Sequence, residues 1–307
     1  MTNTLWTFKH ALKQRGRSLS ARWARWRYPK VFESILPDTE ASEWIESALR
    51  SRRPFLLGRL GSVEARLLGE SKWCSGHFSR ITTKQAHHNA GIFPLDAPNL
   101  DRTAERLYDS LEQVDLLAVW DSPYQARLIA EGVSVAKRCT LSALEPWWHP
   151  RPWSAALAGS KVLVVHPFAT SIERQYLHRL KLFSDPRVLP EFELITLIPP
   201  QTLGGLTEGY SSWIVALDSL VDRVASLCFD VALVGCGAYG LPLAAAIKRM
   251  GRPALHLGGA LQLLFGITGR RWEVIPSYAA LSNEAWVRPL PEETPAASAL
   301  VDGGCYW

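Results

Sequence analysis

No two of the five cysteines, Cys74, Cys139, Cys228, Cys236 and Cys305, stand in C-x-x-C spacing, and their number is odd. That speaks against a disulfide framework and against a cysteine zinc site, and it suits a reducing cytoplasm. No apolar run reaches the roughly 18 residues a bilayer-spanning helix needs. The N-terminus lacks a continuous apolar segment with a small-residue cleavage site, which reads against a secretory signal. There is no G-x-S-x-G nucleophile motif and no internal repeat. Acidic residues are missing from the first 32 positions, where Lys9, Lys13, Arg15, Arg17, Arg22, Arg25, Arg27 and Lys30 precede the first acid, Glu33.

The rest is an ordinary globular composition, 47% hydrophobic and 21% charged over 307 residues. That length can bury a sizeable core as one α/β domain with extensions. The net charge of +5 divides unevenly. Taking the eight N-terminal cations from 34 leaves 26 basic against 29 acidic residues. A slightly acidic body therefore carries a strongly basic arm, which excludes a nucleic-acid-binding body.

In the arm, Leu5, Phe8, Leu12, Leu19, Trp23 and Trp26 recur at helical spacing, interrupted by Gly16 and closed by Pro29. An apolar stripe of Trp, Phe and Leu among Lys and Arg suits an anionic membrane surface. The alternatives are a helix docked on the protein's own core, or one bound to RNA or another partner. The expected organisation is a basic amphipathic arm over 1–32, a Rossmann-like domain over 33–288 and a Pro-rich extended strap over 289–307.

From residue 40 onward, strand and helix patterns alternate. Strands are expected at 54–58, 115–120, 161–165, 192–198, 231–234 and 254–257. Helices are expected at 43–50, 62–68, 101–113, 125–131, 171–183, 212–226 and from about 241 to 248. Apolar strands alternating with helices predict a doubly wound, mostly parallel sheet, whose ligands sit at the carboxyl ends of the strands.

The turn Gly235-Cys236-Gly237-Ala238-Tyr239-Gly240 fits G-x-G-x-x-G between a strand and a helix. Such a turn brings backbone N–H groups and a helix N-terminus to a phosphate. Dinucleotide binding would also need an acid about 20 residues on. Here the next strand ends His256-Leu257-Gly258-Gly259, and the unit lies late in the fold. The readings are a phosphate or nucleotide contact, a structural tight turn and, disfavoured by that missing acid, NAD(P) binding. Gly258 and Gly259 open a second glycine-rich segment that runs through Gln262 to Gly266. Two such strand ends side by side make a backbone-lined crevice for a diphosphate, with Gly235, Gly237, Tyr239, Gly240, Gly258, Gly259 and Gln262 as its candidate residues.

Gly58-Arg59-Leu60-Gly61-Ser62-Val63-Glu64 resembles the R-x-G-D-x-E segment of the GT-D-fold glycosyltransferases. The segment Asn89-Ala90-Gly91-Ile92-Phe93-Pro94, the two glycine-rich turns, Arg271-Trp272 and the closing Gly303-Gly304-Cys305-Tyr306-Trp307 are similar to stretches of that group. The resemblance spans roughly residues 50 to 307. It implies a Rossmann-like domain that moves a sugar from a nucleotide-activated donor, of the UDP-sugar kind; the expected acceptor is a glycan or lipid-linked one in bacterial surface polysaccharide or glycoconjugate synthesis. It also implies a D-x-E pair working with Mn²⁺ or Mg²⁺. Glu64 matches the Glu, but Ser62 stands where the Asp is expected, and a hydroxyl is a poorer cation ligand than a carboxylate.

Glycosyl transfer needs charge stabilisation of the departing diphosphate and a base for the acceptor hydroxyl. Glu64 follows the first strand, and its structural alternative is a carboxylate favoured by a helix N-terminus. Arg59 is placed to neutralise phosphate or to pair with Glu64. Asp121 is the second candidate carboxylate, or else a helix cap. His166 ends the central strand as a candidate base, or else is a satisfied structural histidine. Thr170-Ser171-Ile172-Glu173 reads as a capping box. Trp147, Trp148 and Trp153, with His149 and Arg151, form a Pro-rich loop suited to stacking on sugars. The competing functions are an NAD(P)-binding oxidoreductase and a non-catalytic membrane-associated assembly protein. The expected place for the enzyme is the cytoplasmic face of the membrane, held there by residues 1–30.

Overall fold

The computed structural model describes residues 19–133, 135–301 and 303–307. Its centre is one seven-stranded parallel sheet: β1 (Leu56–Arg59), β2 (Leu116–Ala118), β3 (Lys137–Cys139), β4 (Lys161–Val165), β5 (Glu193–Leu197), β6 (Val231–Val234) and β7 (Ala254–His256). The strand order is β3-β2-β1-β7-β6-β4-β5, and every pairing is parallel. The inner strands are short apolar runs, as strands covered on both faces must be.

Two hydrophobic clusters cover the two faces. One gathers α4 (Ser62–Trp73), α6 (Ala97–Leu111), α7 (Pro123–Ala130), α9 (Trp213–Ala225) and α10 (Gly240–Arg249). The other gathers α3 (Asp38–Ser51), the 3₁₀ turns between β3 and β4, α8 (Ala169–Tyr176) and α11 (Ala260–Leu264). The chain after β1 and β6 goes to the first face, whereas after β4 and β7 it goes to the second. At the middle of the sheet, neighbouring strands therefore send their chains to opposite faces. In open α/β sheets, ligands bind outside the carboxyl ends of strands that part in this way.

Local chemistry sets several helix starts. Ser79 caps α5 (Arg80–Ala90) by accepting from Thr82 N–H, Asp96 caps α6 through Asn99 N–H, and Ser212 caps α9 through Val215 N–H. Nothing in the apolar spacing announces α5, whose sequence RITTKQAHHNA is largely polar. The edge strand β3 reads Lys-Arg-Cys and is formed by pairing with β2 rather than by pattern. The helix expected over 171–183 begins at Ala169 and stops at Tyr176. Its capping box does not form, because the helix starts one residue before Thr170 and Phe168 is its N-cap; Ser171 N–H and hydroxyl both donate to the Glu293 carboxylate. Glu173 instead accepts from the Thr196 hydroxyl.

Residues 19–27 are helical, α1, and are followed by α2 (Pro29–Glu33). Leu5, Phe8, Leu12 and Gly16 lie outside the described residues. Ala24 and Val31 are buried against the body, whereas Leu19, Trp23 and Trp26 are exposed. Where it is described, the arm docks by Ala24, Tyr28, Val31 and Phe32, whereas Leu19, Trp23 and Trp26 of its apolar stripe are exposed. The segment expected as an extended strap turns instead through two 3₁₀ turns, Pro291–Glu293 and Ser298–Leu300, with Val301 and Cys305 buried. Among the described residues no helix is long and apolar enough to cross a membrane.

Candidate functional site

Arg59 ends β1, half-buried at the middle of the sheet edge. Gly258, just past β7, lies directly beneath it. A Cβ on Gly258 would stand 2.8 Å from Arg59 Nη1, and this glycine has φ +58°. Burial pulls the guanidinium below its ordinary value; the Tyr306 phenol opposes that pull, Arg271 adds to it, and Glu64 and Glu145 oppose it. Arg59 keeps its charge regardless, since arginine is not deprotonated in proteins. Arg271, Glu64 and Glu145 thus lie near enough to Arg59 to act on its charge. Tyr306 joins them by accepting from Arg271 Nη1 at 3.2 Å.

Glu64 lies in the first turn of α4 and curls back over its start. A Cβ on Gly61 would come within 2.1 Å of Glu64 Oε2. The glycine of the R-x-G-S-x-E segment therefore leaves room for the carboxylate at a helix N-terminus, where negative charge is favoured.

Glu145 belongs to the same charged group and was missed in the sequence. It is buried, and both its oxygens accept from the Tyr278 hydroxyl at 2.8 Å. Trp148 Nε1–H donates to Oε2 at 2.6 Å. Burial raises its pKa, against the lowering effects of Tyr278, Trp148, Arg59 and Arg271. The available signal was a carboxylate two residues before the tryptophan-rich loop. Of that loop only Trp148 reaches the site. Trp153 is fully buried, Trp147 stacks on Phe183, His149 is buried beside the Ser142 carbonyl, and Arg151 faces Glu43 and Glu46.

His166 and Gly235 meet at the β4–β6 switch. A Cβ on Gly235 would be 2.7 Å from His166 Cδ2 and 2.9 Å from the Gly258 carbonyl. His166 Nδ1 accepts from Phe168 N–H at 3.0 Å, so Nε2 carries the ring proton. Burial pushes this histidine down to about 3. It is a neutral N–H donor at neutral pH and too weakly basic to serve as the general base expected of it.

The other glycine-turn candidates separate. Gly237 has φ +59° and open space over its Cα. Gly240 is filled by its neighbour, since a Cβ there would be 2.1 Å from His256 Cε1. Burial, then Arg59, push His256 down to about 3, and its Nδ1 is buried without a partner. Tyr239 is a core residue: its ring stacks on Trp213 at 4.9 Å, and its hydroxyl meets Thr202 Oγ1 at 2.9 Å. Gln262 is buried, and its amide donates to the carbonyls of Ile267, Thr268 and Tyr306, so it clasps the C-terminal segment against the sheet. Gly259 faces Trp272 and Tyr306 across the same clasp. Asp121, beyond β2, accepts from Arg25 Nε at 2.7 Å and so holds the arm to the sheet edge.

The motif offers a divalent ion little beyond Glu64. Ser62 is exposed, Glu64 is the sole carboxylate of the motif, and cations share its crevice. Among the described residues no group of three or more His, Cys, Asp or Glu side chains is placed to hold a metal.

No family model matches the sequence, and no curated protein matches it. Two solved structures are similar to the chain. One is the highly conserved domain of unknown function 1792, reported to have a distinct glycosyltransferase fold. It has a TM-score of 0.48 and 15% identity, over 90% of this chain and 96% of that one. The other is a selenomethionine-substituted structure of domain of unknown function 1792, with a TM-score of 0.44 and 15% identity, over 90% and 95%.

Proposed function

We propose that the chain is a glycosyltransferase that takes a sugar from a nucleotide-sugar donor, with the donor diphosphate in the crevice beneath Arg59. The observation that carries this reading is the convergence of Arg59, Arg271, Glu64 and Glu145 on the carboxyl edge of a parallel sheet. Two guanidiniums suit a departing diphosphate, because they meet its charge with fixed donors in a partly desolvated place. They do the work that the motif resemblance would give to Mn²⁺ or Mg²⁺.

In transfer, the bond from the anomeric carbon to the diphosphate oxygen breaks, and the diphosphate leaves with the electron pair. The acceptor hydroxyl oxygen bonds to the anomeric carbon, and its proton goes to a carboxylate. Glu145 suits that step, since burial raises its proton affinity toward the working range of a base. Glu64 places a negative charge near Arg59 and faces the sugar from the α4 N-terminus. His166 adds a neutral N–H donor.

The test is release of nucleoside diphosphate from a panel of nucleotide sugars, with bacterial lipid extract or glycan as acceptor. Release with one donor, lost in Glu145→Gln, supports the proposal. No release with any donor overturns it.

A further inference from the structure

We infer that α1 and the start of α2 form a docking surface for an anionic lipid bilayer. Leu19, Trp23 and Trp26 fall at i, i+4 and i+7, within one narrow stripe of the helix. They are 68%, 48% and 75% exposed, whereas Ala24, on the other side of the same helix, is fully buried. An apolar stripe on a helix whose small-residue side is already seated on the protein has no further surface of the described body to cover. Arg22 flanks the stripe on one side and Arg27 on the other, the arrangement in which guanidiniums reach phosphate while their stems lie along apolar groups.

A second feature points the same way. Beside the stripe lies a hollow of about 430 Å³, lined by Arg27, Tyr28, Lys30 and Arg138 with apolar neighbours and no acid. The Arg138 guanidinium is fixed there by the carbonyls of Lys30 and Val31 and by the Ser34 hydroxyl. Three cations around an acid-free hollow, next to exposed tryptophans, complement lipid phosphate above and acyl chain below. The first 18 residues add Lys9, Lys13, Arg15 and Arg17 and no acid.

The arm is also aimed. Arg25 holds Asp121, three residues beyond Ala118, and Ala118 pairs with Arg59 across β1 and β2. Docking by this helix sets the carboxyl edge of the sheet close to the bilayer. If the proposed transferase reading holds, that edge is where a lipid-borne acceptor would arrive. Vesicle binding does not depend on that reading.

The experiment is co-sedimentation of the full-length chain with phosphatidylglycerol–phosphatidylcholine vesicles and with pure phosphatidylcholine vesicles. Expected is binding to the anionic vesicles, weakened by high salt. The double variant Trp23→Ser/Trp26→Ser should bind roughly 10- to 100-fold more weakly, as two large apolar groups leave the interface. Its circular dichroism should be unchanged, because both side chains are exposed. A chain lacking residues 1–18 should still bind. Equal binding to neutral vesicles, or unaltered binding by the double variant, overturns the proposal. So does a lipid-free dimer that the double variant converts to monomer, since the stripe would then be covered by a second copy.

Discussion

Replacing Gly258 by Ala perturbs the candidate crevice at its floor without removing any charged group. The methyl group would stand 2.8 Å from Arg59 Nη1, 3.1 Å from Cδ and 3.3 Å from Cζ. Carbon contacts settle near 3.5–4.0 Å, so the guanidinium must move by about 1 Å. The position also has φ +58°, which costs an L residue about 1–2 kcal/mol. Gly251 supplies the control. It has φ +83° with nothing within 4 Å of its would-be Cβ, and it lies at the far end of α10. Gly251→Ala therefore carries the backbone strain alone. Chemical denaturation should show Gly251→Ala losing about 1–2 kcal/mol and Gly258→Ala at least as much. Titration calorimetry with nucleotide sugar should show wild-type affinity for Gly251→Ala and a loss of roughly 10- to 100-fold for Gly258→Ala, the value of a displaced charge-assisted contact. Equal affinity in both variants would refute the placement of phosphate at Arg59.

Three further outcomes follow from the same geometry. Tyr239→Phe should lose about 0.5–1.5 kcal/mol of stability with the Thr202 hydrogen bond and leave donor affinity unchanged; a selective loss of affinity would return Tyr239 to the binding site. Asp121→Asn should cost less than about 1 kcal/mol, because its pair with Arg25 is exposed, and transfer should persist; collapse of activity with intact fold would make Asp121 catalytic. His166 and His256 are held near 3 against an ordinary 6.5. The unfolded chain therefore binds more protons across that interval, and stability falls as pH drops below 6.5, by up to about 1.4 kcal/mol per unit for each histidine. Glu145, whose pKa is raised, acts in the opposite sense. His166→Gln should flatten the measured slope, and an unchanged slope would contradict the assignment.

Much of the architecture is legible in the residues. β4 and β6 are continuous apolar runs with clear ends, and the alternation with amphipathic helices fixes the parallel class. Arg59 and Glu64 are legible because a short motif holds them at one strand end. The glycine turns are legible as places without Cβ, yet the sequence does not say what fills the space. At Gly235, Gly240 and Gly258 it is His166, His256 and Arg59, arriving from neighbouring strands. Glu145 and Tyr278 are 133 residues apart and meet only through tertiary packing. No periodicity marks that encounter. Asp121 read as catalytic by its place after a strand, but its partner, Arg25, comes from the arm, 96 residues away.

The central claim is that Arg59 meets the diphosphate of a nucleotide sugar without needing a bound divalent ion. Titration calorimetry of the wild-type chain and Arg59→Gln against nucleoside diphosphates and their sugars, in the presence of a chelator, tests it most directly. The account predicts saturable heat with the wild type and an affinity lower by roughly 10- to 100-fold in Arg59→Gln, as one charged hydrogen-bonding partner is lost. Binding that appears only with added Mn²⁺ or Mg²⁺, or that is indifferent to Arg59, would contradict it.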